Sequence, residues 1–307
     1  MTKFRFHIIT LLTALNLLLA SCSFALAKST PISLTDGLNR TVSLKGAAQR
    51  IVSLAPSNTE LLYEVGAGGQ LVGRDDFSDF PAEAKTLPSV GGSMGTYDMA
   101  AIVALKPDLV LAAEINTPGQ VKALQDLGLT VFFLKNPLHM EGLYQNLQSI
   151  GTLTGKSDQA AVLIKSLQVR VQAIIDKLPV ISAHYKVYYE LDATDRNMPY
   201  TAGPGSYINY LLETAGDVNI GADLNSPYSP ITSDEVIHLN PDFIFLGDTA
   251  YGVTVESVMQ RPGWSAIAAV KNKRVFIFDD ATVSRPTARI VDAIEMLAKL
   301  IHPDVFK

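Results

Sequence analysis

The chain has 307 residues, enough for two domains that each bury their own core. Hydrophobic residues make up 48% and charged residues 18%, the balance of a folded globular chain, which excludes a disordered tail or low-complexity tract. A formal net charge of −5 argues against a nucleic-acid partner, which needs a basic face.

At the start of the chain, Lys3 and Arg5 precede an apolar stretch over residues 8–20. It is too short and too early for a transmembrane anchor, so residues 1–21 read as a secretory signal. The stretch ends Leu19-Ala20-Ser21-Cys22, similar to a bacterial lipobox, in which the cysteine is lipidated and becomes the first residue. Cys22 is the only cysteine, so no disulfide can form within one molecule. A plain signal cut nearer Ala27 is the alternative. Removing residues 1–21 takes away two cations and brings the mature charge to −7. With no second apolar span of about 20 residues, the body is expected to be exported and held at the membrane only through its lipid.

Residues 22–48 read as a tether and a β-hairpin around Asp36-Gly37, a pair that supplies the positive φ of such a turn. Residues 49–156 form a first α/β lobe. Over residues 157–178, Ile164, Leu167, Val171, Ile174 and Leu178 recur at steps of three and four, which predicts one long helix with an apolar face. Pro179 stops it, and at about 1.5 Å per residue it spans roughly 33 Å, the width of a small domain. This linking helix (157–179) leads to a second α/β lobe over residues 180–307.

The two lobes repeat each other. Leu105-Lys-Pro-Asp108 matches Leu239-Asn-Pro-Asp242; each follows a short amphipathic helix and precedes an apolar run. Proline ends the helix because it lacks the N–H and forces the preceding residue extended. Runs that are apolar on both faces predict buried parallel strands. Strand, turn and helix also recur at residues 50–68 and 186–221, and a last strand closes each half at 129–134 and 274–279. The gross order β-α-α-β-β appears twice. The predicted fold is therefore α/β: two three-layer lobes with mostly parallel sheets, joined once by a long interlobe helix, with a ligand cleft between them. A single larger sheet is the alternative.

In open α/β sheets, ligands bind at the ends of strands. The loops at residues 74–81, 89–98, 193–205, 225–231 and 279–288 would line the cleft. Gly203-Pro-Gly205-Ser206 matches neither a dinucleotide fingerprint nor a nucleophile elbow and reads as a glycine turn capping a helix. His139, His184, His238 and His302 are scattered, so neither a metal centre nor a catalytic constellation is expected. What remains is an aromatic and polar lining of Phe77, Tyr97, Tyr200, Tyr228 and Arg285, suited to a bulky amphipathic ligand. Trp264 is expected to pack on the second lobe.

The run Arg50-Ile-Val-Ser-Leu-Ala-Pro-Ser-Asn-Thr-Glu60 is followed by Gly73, Asp79-Phe-Pro81, Ala104-Leu-Lys-Pro-Asp-Leu-Val110 and the long helix. Together these resemble the vitamin B12-binding branch of the helix-linked, Fe/B12-type periplasmic substrate-binding proteins of ABC importers. The likeness covers about residues 50–302. It is specific for the family and less so for the ligand, because iron-siderophore and haem carriers share the scaffold. The resemblance implies a monomer without enzymatic activity or cofactor, which carries a small molecule to a membrane permease dimer.

The resemblance also implies site roles. Glu60 and Glu213 match exposed carboxylates, one on each lobe, that meet permease arginines. Phe77, Tyr200 and Tyr228 match aromatic ligand positions, and Arg285 matches an arginine before the last helix. One departure stands out: where cobalamin carriers place a tryptophan, this chain has Gly92-Ser93-Met94, which widens the cleft or shifts the task to Tyr97. Siderophore carriers use several arginines against an anionic chelate, and the cleft loops here offer mainly Arg285. The expected cargo is a corrinoid; a ferric siderophore or haem is the alternative, and an enzyme or chelatase acting on a metal compound is a further one.

Overall fold

A computed structural model describes residues 30–92, 95–178, 184–278 and 280–306. It opens on an antiparallel ribbon in which β1 (Ile32–Thr35) pairs with β2 (Thr41–Leu44). The positive φ of this turn comes not from Gly37 but from Asn39, at 60°. Asp36 Oδ1 accepts the amides of Leu38 and Arg40 at 3.0 Å each. Gly37 meets a different need. A Cβ there would lie 2.9 Å from Lys135 Cβ, and its amide donates to the Phe133 carbonyl at 2.8 Å, so the turn rests directly on the first sheet.

The first half contains β3 (Ile51–Ser53), α1 (Pro56–Glu64), β4 (Leu71–Arg74), α2 (Met99–Ala104), β5 (Leu109–Ala113), α3 (Pro118–Asp126), β6 (Val131–Leu134) and α4 (Met140–Thr154). Its sheet has the order β4-β3-β5-β6, all parallel. Successive strand residues feed opposite sides. Ile51, Leu109, Leu111 and Phe132 pack with Leu61 of α1 and Leu143 and Leu147 of α4. Val52, Val110, Ala112 and Val131 pack with Ile102 of α2 and with Val121 and Leu124 of α3. Both faces are covered, which is why these strands carry no alternation. The gross order read from the sequence omits β4, α3 and the 15-residue α4. Gly73 interrupts the apolar run of β4, and α3 is announced only by its cap, in which Thr117 Oγ1 accepts the Gln120 amide.

After the linking helix α5 (Ser157–Ile175), the second half contains β7 (Lys186–Asp192), β8 (Tyr200–Ala202), α6 (Tyr207–Thr214), β9 (Val218–Asn219), β10 (Tyr228–Pro230), α7 (Ser233–Leu239) and β11 (Phe243–Leu246). Then follow α8 (Val255–Met259), α9 (Ala268–Lys271), β12 (Val275–Ile277), α10 (Asp280–Val283) and α11 (Ile290–Ile301). The strand order is β10-β8-β7-β11-β12, with β9 on the first residues of β7. β7, β9, β11 and β12 are parallel; β8 and β10 extend the edge antiparallel. Val187, Tyr189 and Phe245 pack with α6 and α11, whereas Tyr188, Ile244 and Leu246 pack with α7, α8 and the fully buried Trp264.

The architecture is thus two three-layer α/β lobes. Each sheet is drawn from one contiguous stretch, so the chain crosses between the sheets once. α5 buries Ala160, Leu167, Val171 and Ile174. It also pairs with the far lobe, where Arg170 donates to Glu295 at 2.9 Å and Asp292 at 2.5 Å on α11. The repeated Leu-x-Pro-Asp has a structural cause. Asp108 accepts the amides of Gln49 and Arg50 at 2.8 and 2.9 Å just before β3. Asp242 accepts the Lys186 amide at 2.9 Å at the start of β7. Lys106 and Asn240, at φ 49° and 50°, hold the same position in each repeat.

Candidate functional site

β7, β11 and β12 run the same way, so their carboxyl ends share one edge of the second sheet. The segment between β12 and α11 lies against the first lobe. Arg285 Nη1 donates to Glu60 Oε1 at 2.9 Å and to Asp79 Oδ1 at 2.7 Å, and Nη2 donates to the Phe77 carbonyl at 3.3 Å. Arg289 Nη1 donates to Glu60 Oε2 at 3.2 Å, and Thr287 Oγ1 donates to the same oxygen at 3.3 Å. The Ala288 amide donates to the Glu64 carboxylate at 3.0 and 3.1 Å. A charged seam thus ties one segment of the second lobe to α1 and the loop after β4.

The electrostatics follow from that geometry. Burial pushes the Glu64 carboxyl up to about 7; the Ala288 N–H opposes this and the neighbouring Glu60 adds to it. Partial burial works against ionisation of Asp79, yet the hydrogen bond and charge of Arg285 hold its carboxyl below the usual range.

Two sequence expectations need correction here. Glu60 was to be an exposed carboxylate, but it is 1% exposed because residues 57–62 of α1 are buried. Its oxygens already serve Arg285, Arg289 and Thr287, so it has no surface to offer a permease. Tyr97 was to replace a missing ring in the cleft, but it lies in the core of the first lobe. Its hydroxyl donates to the Leu54 carbonyl at 2.9 Å and accepts from Asn116 Nδ2 at 2.7 Å, and burial raises its pKa.

The remaining positions are placed differently. Arg285 sits where the lobes meet, matched by carboxylates of the other lobe rather than awaiting an anion. Glu213 is exposed on α6, its Oε1 accepting from Asn209 Nδ2 at 2.8 Å. Phe77 is 48% exposed, its amide held by Asp75 Oδ2 at 3.0 Å. Tyr200 and Tyr228 are 47% and 55% exposed. On the β8–β10 ribbon Tyr200 stands opposite Pro230 and Tyr228 opposite Ala202, which puts the two rings diagonally on one face. Gly203 lets that ribbon close, since a Cβ there would lie 2.2 Å from the Ser226 carbonyl. Ser206 caps α6 through the Asn209 amide, so the glycine run is a helix-capping turn. Ser93, Met94 and Cys22 lie outside the described residues.

Sequence reasoning missed Glu64, Asp79, Thr287 and Arg289 in the seam, and also Phe80, whose ring lies 4.4 Å from the Arg289 guanidinium carbon. A signal was available: Glu60 and Glu64 are four residues apart on one helix, and Arg285 and Arg289 share that spacing. Among the described residues, no helix is long and apolar enough to cross a membrane.

A family model described as "Periplasmic binding protein" matches residues 51–282. The chain is 32% identical over 280 residues to a Bacillus subtilis (strain 168) protein named "Uncharacterized ABC transporter substrate-binding lipoprotein YvrC", covering 90% of this chain and 87% of that one. It is 29% identical over 293 residues to a "Cobalamin-binding protein" of Halobacterium salinarum, covering 92% and 75%. A solved structure from Staphylococcus epidermidis ATCC 12228, described as a possible iron-binding, periplasmic solute-binding protein, superposes with a TM-score of 0.72 at 30% identity. It covers 83% of this chain and 99% of that one.

Proposed function

The chain belongs to the periplasmic binding protein family and is an ABC-transporter substrate-binding protein; from that premise we propose that its cargo is a corrinoid of the cobalamin type. One observation carries the choice of cargo. The Arg285 guanidinium, the cation that an anionic ferric chelate would seek, is already matched by Glu60 and Asp79, while the Phe77, Tyr200 and Tyr228 rings stand exposed. A large, flat macrocycle gains from aromatic contact and needs no counter-charge. The relative named for cobalamin binding supports the same reading.

A ferric siderophore or haem is the second reading, favoured by the Staphylococcus structure and its description. A visible-absorption titration of the purified protein separates the two. Cobinamide or cobalamin is expected to saturate at one per chain, with ferric chelates and haem at least tenfold weaker. Saturation by a ferric chelate or haem with no corrinoid response overturns the choice.

Delivery to a permease places the protein in the cell envelope. We propose Cys22 as the lipidated residue that tethers it, and Glu213 as the permease contact on the second lobe. Cys22→Ala should move the protein from the membrane to the soluble envelope fraction; retention in the membrane fraction would remove the anchor. Glu213→Ala should leave corrinoid binding unchanged and slow uptake in cells. Equal loss of both would end the docking role.

A further inference from the structure

The seam between the lobes holds one more carboxyl group than its cations match. Arg285 and Arg289 are already taken by Glu60 and Asp79. Arg170 of α5 answers Asp292 and Glu295 on α11. Glu64, one turn beyond Glu60 on α1, has no ion-pair partner among the described residues. Its two oxygens share a single donor there, the Ala288 amide, at 3.0 and 3.1 Å.

The charged groups that face Glu64 come from three elements: Glu60 from α1, Arg289 from the segment before α11, and Asp292 from α11 itself. Two like charges oppose one cation, and that cation is committed to Glu60. An ionised Glu64 is therefore unbalanced and short of donors, since a carboxylate can accept several hydrogen bonds. A protonated Glu64 adds no charge and leaves two guanidiniums facing two carboxylates. Burial, which pushes this carboxyl up to about 7, acts in the same direction.

The proton is linked to the contact between the lobes. α1 belongs to the first lobe and Ala288 to the second, so parting them removes the one N–H and returns the carboxyl to water, where it ionises near 4.5. A proton held more tightly in the closed form than in the open one favours closure, and its loss favours opening. The seam also borders the path of the cargo, because Arg285 holds the carbonyl of Phe77, one of the exposed rings.

We propose that Glu64 is a proton-controlled latch between the lobes: protonated, it keeps residues 285–289 seated on α1; ionised, it lets them part more often and cargo pass the rim faster. The latch goes beyond the corrinoid reading and holds for whichever cargo is carried.

Amide exchange in the full, ligand-free protein reads the latch without cargo. The protection of the Ala288 amide, corrected for the intrinsic effect of pH, should fall about tenfold between pH 6 and 8, as the ionised fraction of a group near 7 rises. At both pH values Ala288 should be at least a hundredfold less protected than Val110, whose amide bonds the Thr130 carbonyl in the first sheet, so that the opening is local. Glu64→Gln keeps an acceptor but cannot ionise, and its Ala288 protection should not change with pH. Stopped-flow mixing with cobinamide supplies the second reading. Association and release should both quicken threefold or more from pH 6 to 8 in the wild type and in neither direction in Glu64→Gln, with affinity held within threefold. Constant Ala288 protection in the wild type, a pH effect that survives in Glu64→Gln, or equal protection at Ala288 and Val110 overturns the latch. Falling protection with fixed cobinamide rates overturns its hold on cargo. If cobinamide and cobalamin both fail to bind, the corrinoid reading falls, and the exchange result decides the latch by itself.

Discussion

Glu60 sits between two guanidiniums, and its burial makes it the most expensive charge in the seam to remove. Deleting one partner of a buried pair costs about 3–5 kcal/mol when the partner is left dry. Arg285 and Arg289, 18% and 20% exposed at their side chains, can recover some water, so Glu60→Ala should cost about 2–3 kcal/mol. Urea unfolding checks this; a loss below about 0.5 kcal/mol would mean the carboxylate is a surface charge after all. Glu64 gives the pH dependence. Its carboxyl titrates near 7 in the fold and near 4.5 when unfolded, so between those values the native state holds the extra proton. Stability from this group is therefore full below about pH 4.5 and is lost as pH rises through 7. Glu64→Gln keeps an acceptor for the Ala288 amide and should remove a drop of roughly 2 kcal/mol between pH 5 and 8, relative to wild type. An identical pH profile in the two proteins would refute the assignment. Tyr97 and Glu60 also mark what single residues do not disclose. A tyrosine in a glycine-rich loop and a glutamate on an amphipathic helix look alike whether they face solvent or core; the partners Asn116 and Arg289 that decide it lie 19 and 229 residues away.

At the level of elements, local signals were the most legible. Buried parallel strands announce themselves by unbroken apolar runs, and α5 by its three-and-four spacing, because those patterns follow from what each face touches. β8 and β10 escaped notice because each has three residues and sits among Pro199, Pro227 and Pro230, which confine strands to edges. Yet this edge ribbon is what sets Tyr200 and Tyr228 diagonally on one face, a relation visible only once the register is known. Their exposure separates binding from folding. Tyr228→Ala should weaken corrinoid binding by about tenfold, within the roughly 0.5–1.5 kcal/mol of an aromatic contact, while changing stability by no more than about 0.5 kcal/mol. Fluorescence or absorbance titration beside a urea curve reads both. Unchanged affinity would take the ribbon out of the site.

For the whole molecule, two kinds of contact hold the lobes together, and they sit at different places. At the base, one apolar cluster runs without a break from α1 and α4 through α5 to α6 and α11, and Tyr207 donates its hydroxyl to Met140 Sδ at 3.3 Å from the other lobe. At the rim, the seam of Glu60, Asp79, Arg285 and Arg289 is ionic and partly wet. Cutting the rim should therefore loosen the mouth without separating the lobes. The double variant Arg285→Ala/Arg289→Ala strands a buried carboxylate, which at about 2 kcal/mol lowers Tm by roughly 4–8 °C in a chain of this size. Unfolding should stay a single transition because the base cluster is intact, while small-angle scattering of the ligand-free protein shows a broader distance distribution. The same variant decides the role of Arg285. If the seam is structural, corrinoid affinity changes by no more than about threefold, under 1 kcal/mol. A tenfold loss at unchanged scattering would return Arg285 to the ligand, and two separated transitions would show that the charges, not the apolar base, join the halves.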